Sequence, residues 1–377
     1  MKKKYKFMAI LILFLVTISV MDVVAEETTD TFCYDVPDTV RSLSLVSNGV
    51  YTAAAGVGEI PEIFISDQNG IIWACQKRAL SILLSPDGRY SVVGTNSGVE
   101  LYDNSDAVDV TVTTVKIFEA VSFTKGKVTN YQMLLPTKPP KLPTTKEVTD
   151  IICNPVWTYI TDEETRVLAI SETNSYVLVG AADTLYVLDR QGKLSWKYKA
   201  DSAITDIEIL GRYIVSSSQN TVYLFNTSGD LLWSYGVNGM PEKIVLSKNG
   251  PYVGVGTNSG HIYLIDKNGN VLFDYKNSKA VRGLAINNNG SYLVAGSQDG
   301  YVLFLNNTGT KLWSYKTNGE VNFVDISPQG QYIAAGSDRD SYYLFNWNGK
   351  KLWSRANSEN YFWAIEVDDY GKGVFGG

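Results

Sequence analysis

Beyond residue 30 the chain is built of short runs in which apolar and polar residues alternate with a period of two, separated by glycine-bearing turns. Five runs share one pattern of strand, turn and strand. They are LYVLDRQGKLSWKY (185–198), VYLFNTSGDLLWSY (222–235), IYLIDKNGNVLFDY (262–275), YVLFLNNTGTKLWSY (301–315) and YYLFNWNGKKLWSR (342–355). Their aromatic anchors Trp233, Phe273, Trp313 and Trp353 stand 40 residues apart, and Trp196 precedes Trp233 by 37. A second hairpin interleaves with the first, in SPDGRYSVVG (85–94), SKNGPYVGVG (247–256), NNNGSYLVAG (287–296) and SPQGQYIAAG (327–336). Each hairpin loop holds a glycine, which adopts positive φ without a Cβ clash. A unit therefore contains four antiparallel strands, a to d, and no helix. A period near 40 with four strands per unit predicts the blades of a β-propeller.

Counting strands sets the expected blade number. Strand d recurs eight times, at Phe32, Trp73, Trp157, Trp196, Trp233, Phe273, Trp313 and Trp353; strands a and b also recur eight times, and strand c seven. The first strand d, around Phe32, precedes any strand a. It is suited to closing a last blade that draws strands from both chain ends. The reading is an all-β, eight-bladed β-propeller over residues 30–377, its last blade closed by the N-terminal strand and one strand short at the C-terminus, as a truncated or defective blade would be.

VYLFNTSGDLLWSY and YVLFLNNTGTKLWSY resemble the repeat of the pyrroloquinoline quinone (PQQ) propeller family, and the SPDG and SPQG turns resemble those of WD-repeat propellers. That resemblance implies that Trp73, Trp157, Trp196, Trp233, Phe273, Trp313 and Trp353 dock blade against blade. Quinoprotein dehydrogenases of the superfamily carry an adjacent cysteine pair and a calcium-ligating carboxylate cluster, and neither is present here. The resemblance is closer to the family's non-enzymatic scaffolds, with no cofactor expected.

Residues 2–6 read KKKYK, residues 7–20 are apolar, and Val23-Val24-Ala25 precedes an acidic stretch, the order of a secretory signal peptide. Cleavage near residue 25 is expected, with retention of residues 7–25 as an anchor the alternative. The whole chain has net charge −6; residues 1–25 carry a net +3, so the remainder stands at −9. An acidic exported domain without a basic block is a poor partner for nucleic acid. One histidine, His261, and three cysteines, Cys33, Cys75 and Cys153, leave almost no material for zinc sites or Ser-His-Asp triads. His261 reads as a packed strand residue. Free thiols and a Cys75–Cys153 bridge both stay open. Three triplets, starting at Asn226, Asn289 and Asn306, fit the N-glycosylation pattern, which such a sequence also produces by chance.

Residues 104–150 form an insertion between strands c and d of the second blade. Its first half reads as an extra hairpin and its second half, with four of the eleven prolines, as an extended segment. The b–c loops offer Asn96, Asn258, Gln298, Asp299, Asp338, Arg339 and Asp340 as hydrogen-bonding groups for a polar ligand, while solvated turns explain them equally well. SDQNGIIW (66–73) approaches a sialidase Asp-box, but Gln68 stands where the aspartate is needed. The expectation is a secreted or surface-exposed, monomeric, non-catalytic scaffold for a protein or glycan partner, with a PQQ-dependent oxidoreductase or glycan-active enzyme as the alternative.

Overall fold

The computed structural model describes residues 79–104, 154–161, 163–250, 252–338 and 341–354 with their side chains, together with the backbone of ten further strands and a few neighbouring residues. Six four-stranded antiparallel sheets lie in the stretches described with side chains. Each is a meander, so strands a, b, c and d follow one another both in sequence and in space. In the sheet of residues 204–236 they are Ile204–Leu210, Tyr213–Ser218, Thr221–Asn226 and Leu231–Gly236. The sheets of 165–199, 241–276, 281–316 and 321–356 repeat that order, and in the sheet of 81–160 strand d, Trp157–Ile160, follows the long insertion.

Burial changes across each sheet in step with residue type. Strand b is apolar or small almost throughout, as in Tyr292–Ser297, where every residue after the tyrosine is buried. Its two faces are both covered by neighbouring sheets, so the alternation of a half-exposed strand disappears. Strand d keeps the alternation, as in Leu194–Lys199, whose residues are half-buried and exposed in turn. The core is accordingly divided into clusters, each shared by two adjacent sheets. One holds Leu178, Leu185 and Val187 with Ile207, Ile214 and Phe225, and the next holds Val215, Leu224 and Val237 with Ile244, Val255 and Tyr263. Strand-b glycines let the sheets approach: a Cβ on Gly296 would lie 2.6 Å from both the backbone oxygen and a methyl of Val321. The recurrence of Gly256, Gly296 and Gly336 at 40-residue intervals therefore belongs to strand packing, not to turns.

The expected eight-bladed closed propeller is corrected. The fully described sheets number six, none is closed by hydrogen bonds or curled, and every ladder ends at strands a and d. The expectation of a last blade one strand short is also corrected. Thr31–Asp35, Ile117–Ser122, Gly373–Gly376 and Ala364–Val367 pair in that order, so the third strand comes from the insertion. Glu119 stands opposite Cys33 and Val121 opposite Phe375. Counting in chain order missed this strand because it lies far from the strands it joins. Among the described residues of the expected extra hairpin, Gly126–Lys127 pairs with Val24–Ala25 and Ile117–Ser122 with Thr31–Asp35 and Gly373–Gly376. The remainder of residues 1–23 and of the proline-bearing half of the insertion lies outside the described residues.

Candidate functional site

Two sets of polar residues merit attention: the b–c loops singled out in the sequence, and a line of charged residues on the innermost strands, a, that the sequence did not single out.

The b–c loops are wired into their own sheets. The backbone N–H groups of Asn258, Gln298 and Asp338 donate to the carbonyls of Met240, Ala280 and Glu320 at 2.9, 2.8 and 2.9 Å, one bond at the same place in three successive repeats. The Asn258 side-chain oxygen also accepts from Met240 N at 2.9 Å. Asp299 accepts from Ser278, Ser297 and Asn277. Although burial opposes it, these bonds hold the Asp299 carboxyl below the usual carboxylate range. Asn96 is exposed, and Arg339 and Asp340 lie outside the described residues.

The tryptophans sit at sheet junctions. The indole N–H groups of Trp157, Trp196, Trp233 and Trp313 donate to the carbonyls of Arg190, Thr227, Lys267 and Trp347 at 3.0, 3.0, 3.2 and 3.0 Å. Each acceptor lies in the c–d turn of the next sheet. An Asx turn shapes that turn: Asn306 Oδ1 accepts from Thr308 N and Thr310 N at 3.1 and 2.9 Å. The glycine that follows packs on the indole, and a Cβ on Gly349, at φ +81°, would fall 2.8 Å from Trp313. Phe273 holds the same place against Gly309 without an N–H to donate. Of the fourth-strand anchors, Trp353 is half-buried beside Leu344, while only the backbone of Trp73 is described. The glycosylation-pattern residues Asn226 and Asn306 are the Asx residues of these turns, and Asn226 Nδ2 donates to Asp230 at 2.7 Å.

A second contact of this kind was not foreseen. Tyrosines opening strand b meet the a–b turn glycine of the next sheet, Tyr252 against Gly290 and Tyr292 against Gly330. The sequence signal was present, since Tyr and Gly recur together in the hairpin motif.

On the innermost strands, carboxylates reach across to the next sheet. Asp206 Oδ2 accepts from Lys243 Nζ and from Ile244 N, both at 2.9 Å. Glu208 Oε2 accepts from Leu246 N at 2.8 Å, and Asp325 Oδ2 from Val367 N at 2.7 Å. Ser44 Oγ does the same for Leu84 N at 3.0 Å. Arg282 and Glu242 pair at 3.1 Å. Burial pushes the Glu208 carboxyl up to about 7; the nearby Asp206 adds to the rise, while Lys243 and the Leu246 amide oppose it. Burial likewise pushes Asp325 up to about 7, against the pull of the Val367 and Ile326 amides. Burial works against the Lys243 charge, but Asp206 and Glu208 outweigh it and hold its proton more tightly than usual. Chemically this is a joint, in which side-chain oxygens satisfy edge N–H groups that would otherwise be buried without partners.

His261 opens its strand c with Nδ1 2.6 Å from Asp274 Oδ1 and its ring stacked on Tyr263 at 5.6 Å. Among the described residues no group of three His, Cys, Asp or Glu is placed to hold a metal ion. A shallow hollow of about 200 Å³ lies between two a–b turns, lined by Arg212, Tyr213, Ser247 and Lys248 among others, below the usual size of a small-molecule site. Gln68 and Cys153 lie outside the described residues, and only the backbone is described at Cys33 and Cys75.

Residues 190–337 match a family described as being of unknown function (DUF5711), a span of less than half the chain. No curated protein matches. The chain is similar to the crystal structure of the computationally designed Ika8 protein, with a TM-score of 0.66 and 16% identity over 89% of this chain and 96% of that one. At that identity the likeness concerns the fold alone: this is an all-β protein of repeated four-stranded antiparallel sheets, propeller-like in general character.

Proposed function

We propose that the chain is an exported, non-catalytic scaffold that binds a protein or glycan at the cell envelope or outside the cell, and that its repeats belong with the PQQ-like, WD-like propellers they resemble. The observation that carries this reading is the use made of its reactive side chains. Asp206, Glu208 and Asp325, the groups best suited to acid–base work, are engaged in bonds between sheets. A rigid body of this kind suits the display of a binding surface, and long insertions on such bodies are frequent sites of recognition. The charged-then-apolar leader supports the assignment to an exporting pathway.

The test is to immobilise the exported chain and identify what it retains from an envelope extract of its own source, beside a variant lacking 128–150. That deletion spares Ile117–Ser122, which is needed in the terminal sheet. A partner retained by the native chain and lost by the variant supports the scaffold and places the contact on the proline-bearing half of the insertion. A folded bait that retains nothing, or turnover of a glycan or quinone substrate, overturns the reading.

A further inference from the structure

The exposed leucines of the outer strands follow the repeat. Leu232, Leu272 and Leu312, 43, 43 and 44% exposed, are the bulge residues before the aromatic anchors of three successive strands d. Two aromatic residues break the repeat. Tyr370 and Trp347, 76 and 54% exposed, are the most exposed aromatic side chains among the described residues. Trp347 is the second residue of its c–d turn, a place held by Arg190, Thr227, Lys267 and Asn307 in four other sheets. Tyr370 precedes the positive-φ residue of its a–b turn, a place held by Asp87, Thr173, Asn289 and Gln329 in four others. At both places the fold uses the backbone and asks for no ring. Trp347 N donates to Gln331 O at 2.9 Å, Trp347 O accepts from the Trp313 indole at 3.0 Å, and Tyr370 N donates to Asp368 Oδ1 at 2.9 Å. Among the described residues neither ring makes a hydrogen bond or a ring contact.

The two residues bracket one polar turn, 327–331. On one side Gln331 holds Trp347; on the other Gln329 N donates to Asp369 Oδ1 at 2.7 Å, and a Cβ on Gly371 would lie 2.9 Å from the Tyr332 ring. Gln329 and Gln331 are exposed on that turn, and Asn348 is exposed next to Trp347. We propose that this cluster of turns is a sugar-binding platform, on which an uncharged β-linked hexopyranose chain stacks against Trp347 and Tyr370 and is hydrogen-bonded by Gln329, Gln331 and Asn348. The proposal deepens the scaffold reading and rests on its glycan arm. A pyranose ring with equatorial hydroxyls has an apolar C–H face and a polar rim. An exposed aromatic ring beside amides, which both donate and accept, complements the two together. A protein hot spot instead sets its aromatics in a water-excluding apolar surround, whereas this turn offers Ser, Pro, Gln and Gly. An anionic membrane would meet Asp368 and Asp369 beside Tyr370. With Lys350 in the Trp347 turn, the charges of the cluster are of both signs and favour no charged chain. Because backbone hydrogen bonds already fix both turns, little ordering is left to oppose binding.

The test is isothermal titration calorimetry of the chain as its host exports it with soluble cello- and chito-oligosaccharides, for the native sequence, Trp347→Asn and Tyr370→Asn. Each variant installs the residue that a sister turn carries, Asn307 or Asn289, so the fold is expected to be kept; circular dichroism checks it. The expected result is native binding that strengthens from monosaccharide to longer chains and weakens roughly tenfold or more in each variant. A native chain that binds neither series at up to about 10 mM overturns the inference, and so does binding that either variant leaves unchanged. Equal binding to anionic vesicles, lost in the same variants, also overturns it by making the cluster a lipid contact. The scaffold reading fails separately. Cleavage of the bound probe into shorter sugars supports the platform and overturns the non-catalytic reading, while a partner retained from the envelope extract without sugar binding keeps the scaffold and removes the platform.

Discussion

The two edges of each sheet face the same physical problem and meet it with different chemistry. At the inner edge, unpaired N–H groups are packed against the next sheet, and Ser44, Asp206, Glu208 and Asp325 supply the missing acceptors from across the junction. At the outer edge water can satisfy the backbone, and the task is to keep other strands away, which exposed lysines and a bulge accomplish. A carboxylate at an inner edge therefore completes the backbone's hydrogen bonding, while a lysine at an outer edge is placed to oppose strand pairing.

The largest effect is expected where the outer strand is tied to its neighbour. Trp313→Ala removes the bond to Trp347 and the ring contacts with Phe304 and Phe345 at 5.1 and 5.4 Å. A loss of about 3–5 kcal/mol, read as a lower denaturant midpoint, is expected of a buried aromatic, with the lower figure the better guide for this half-buried ring. Trp313→Phe, which keeps the ring packing and drops the N–H, is expected to cost about 1 kcal/mol, as the natural Phe273 suggests. Equal losses in both variants would place the energy in the hydrogen bond and break the packing account.

Next in size is the pH response of the inner edge. Glu208 and Asp325 bind protons more tightly in the folded chain than ordinary carboxyls do. Between the usual carboxylate range and about pH 7 the folded state holds protons that the unfolded state has released, so stability is greatest at the acid end of that window and falls as pH rises through 7. The fall is on the order of 1–2 kcal/mol for the pair, allowing for their half-buried setting. Glu208→Gln keeps an acceptor for Leu246 N and removes the charge, and is expected to flatten about half of the slope in urea midpoints measured from ~pH 5 to ~pH 8. A midpoint that climbs with pH across this window would contradict the sign.

What was legible in the sequence was whatever repeats with one residue type. The 40-residue spacing, the aromatic anchors and the glycine turns each demand a particular side chain at a fixed place, so the strands around Trp233, Phe273 and Trp313 could be placed from the sequence. The inner acceptors were not legible because their position is not constant in type: Ser44, Glu208 and Asp325 alternate with Ala169, Val245 and Ala285 at the equivalent place in other sheets. The pairing of Ile117–Ser122 with the strands of both chain ends was not legible either, since hydrophobic alternation marks a strand without naming its neighbours. The b–c loops are a third case: Asn258 and Asp299 have the composition of a binding loop and also hydrogen-bond within the repeat, so residue type alone does not tell the two uses apart.

The smallest effect sharpens the contrast between the edges, because it sets two ion pairs of similar length in different surroundings. Asp206 and Lys243 meet at 2.9 Å at the inner junction, where the aspartate side chain is only 15% exposed and also serves a backbone amide. Asp183 and Lys199 meet at 3.3 Å at the outer edge, with the lysine side chain 77% exposed. Double-mutant cycles to alanine are expected to give a coupling of about 1 kcal/mol for the inner pair, little altered by salt. The outer pair is expected to show no coupling above error at physiological salt, because side-chain entropy and screening cancel the attraction. A strong coupling at Lys199 would mean that the outer lysines stabilise the fold, and their role as barriers to strand pairing would then have to be argued on other residues.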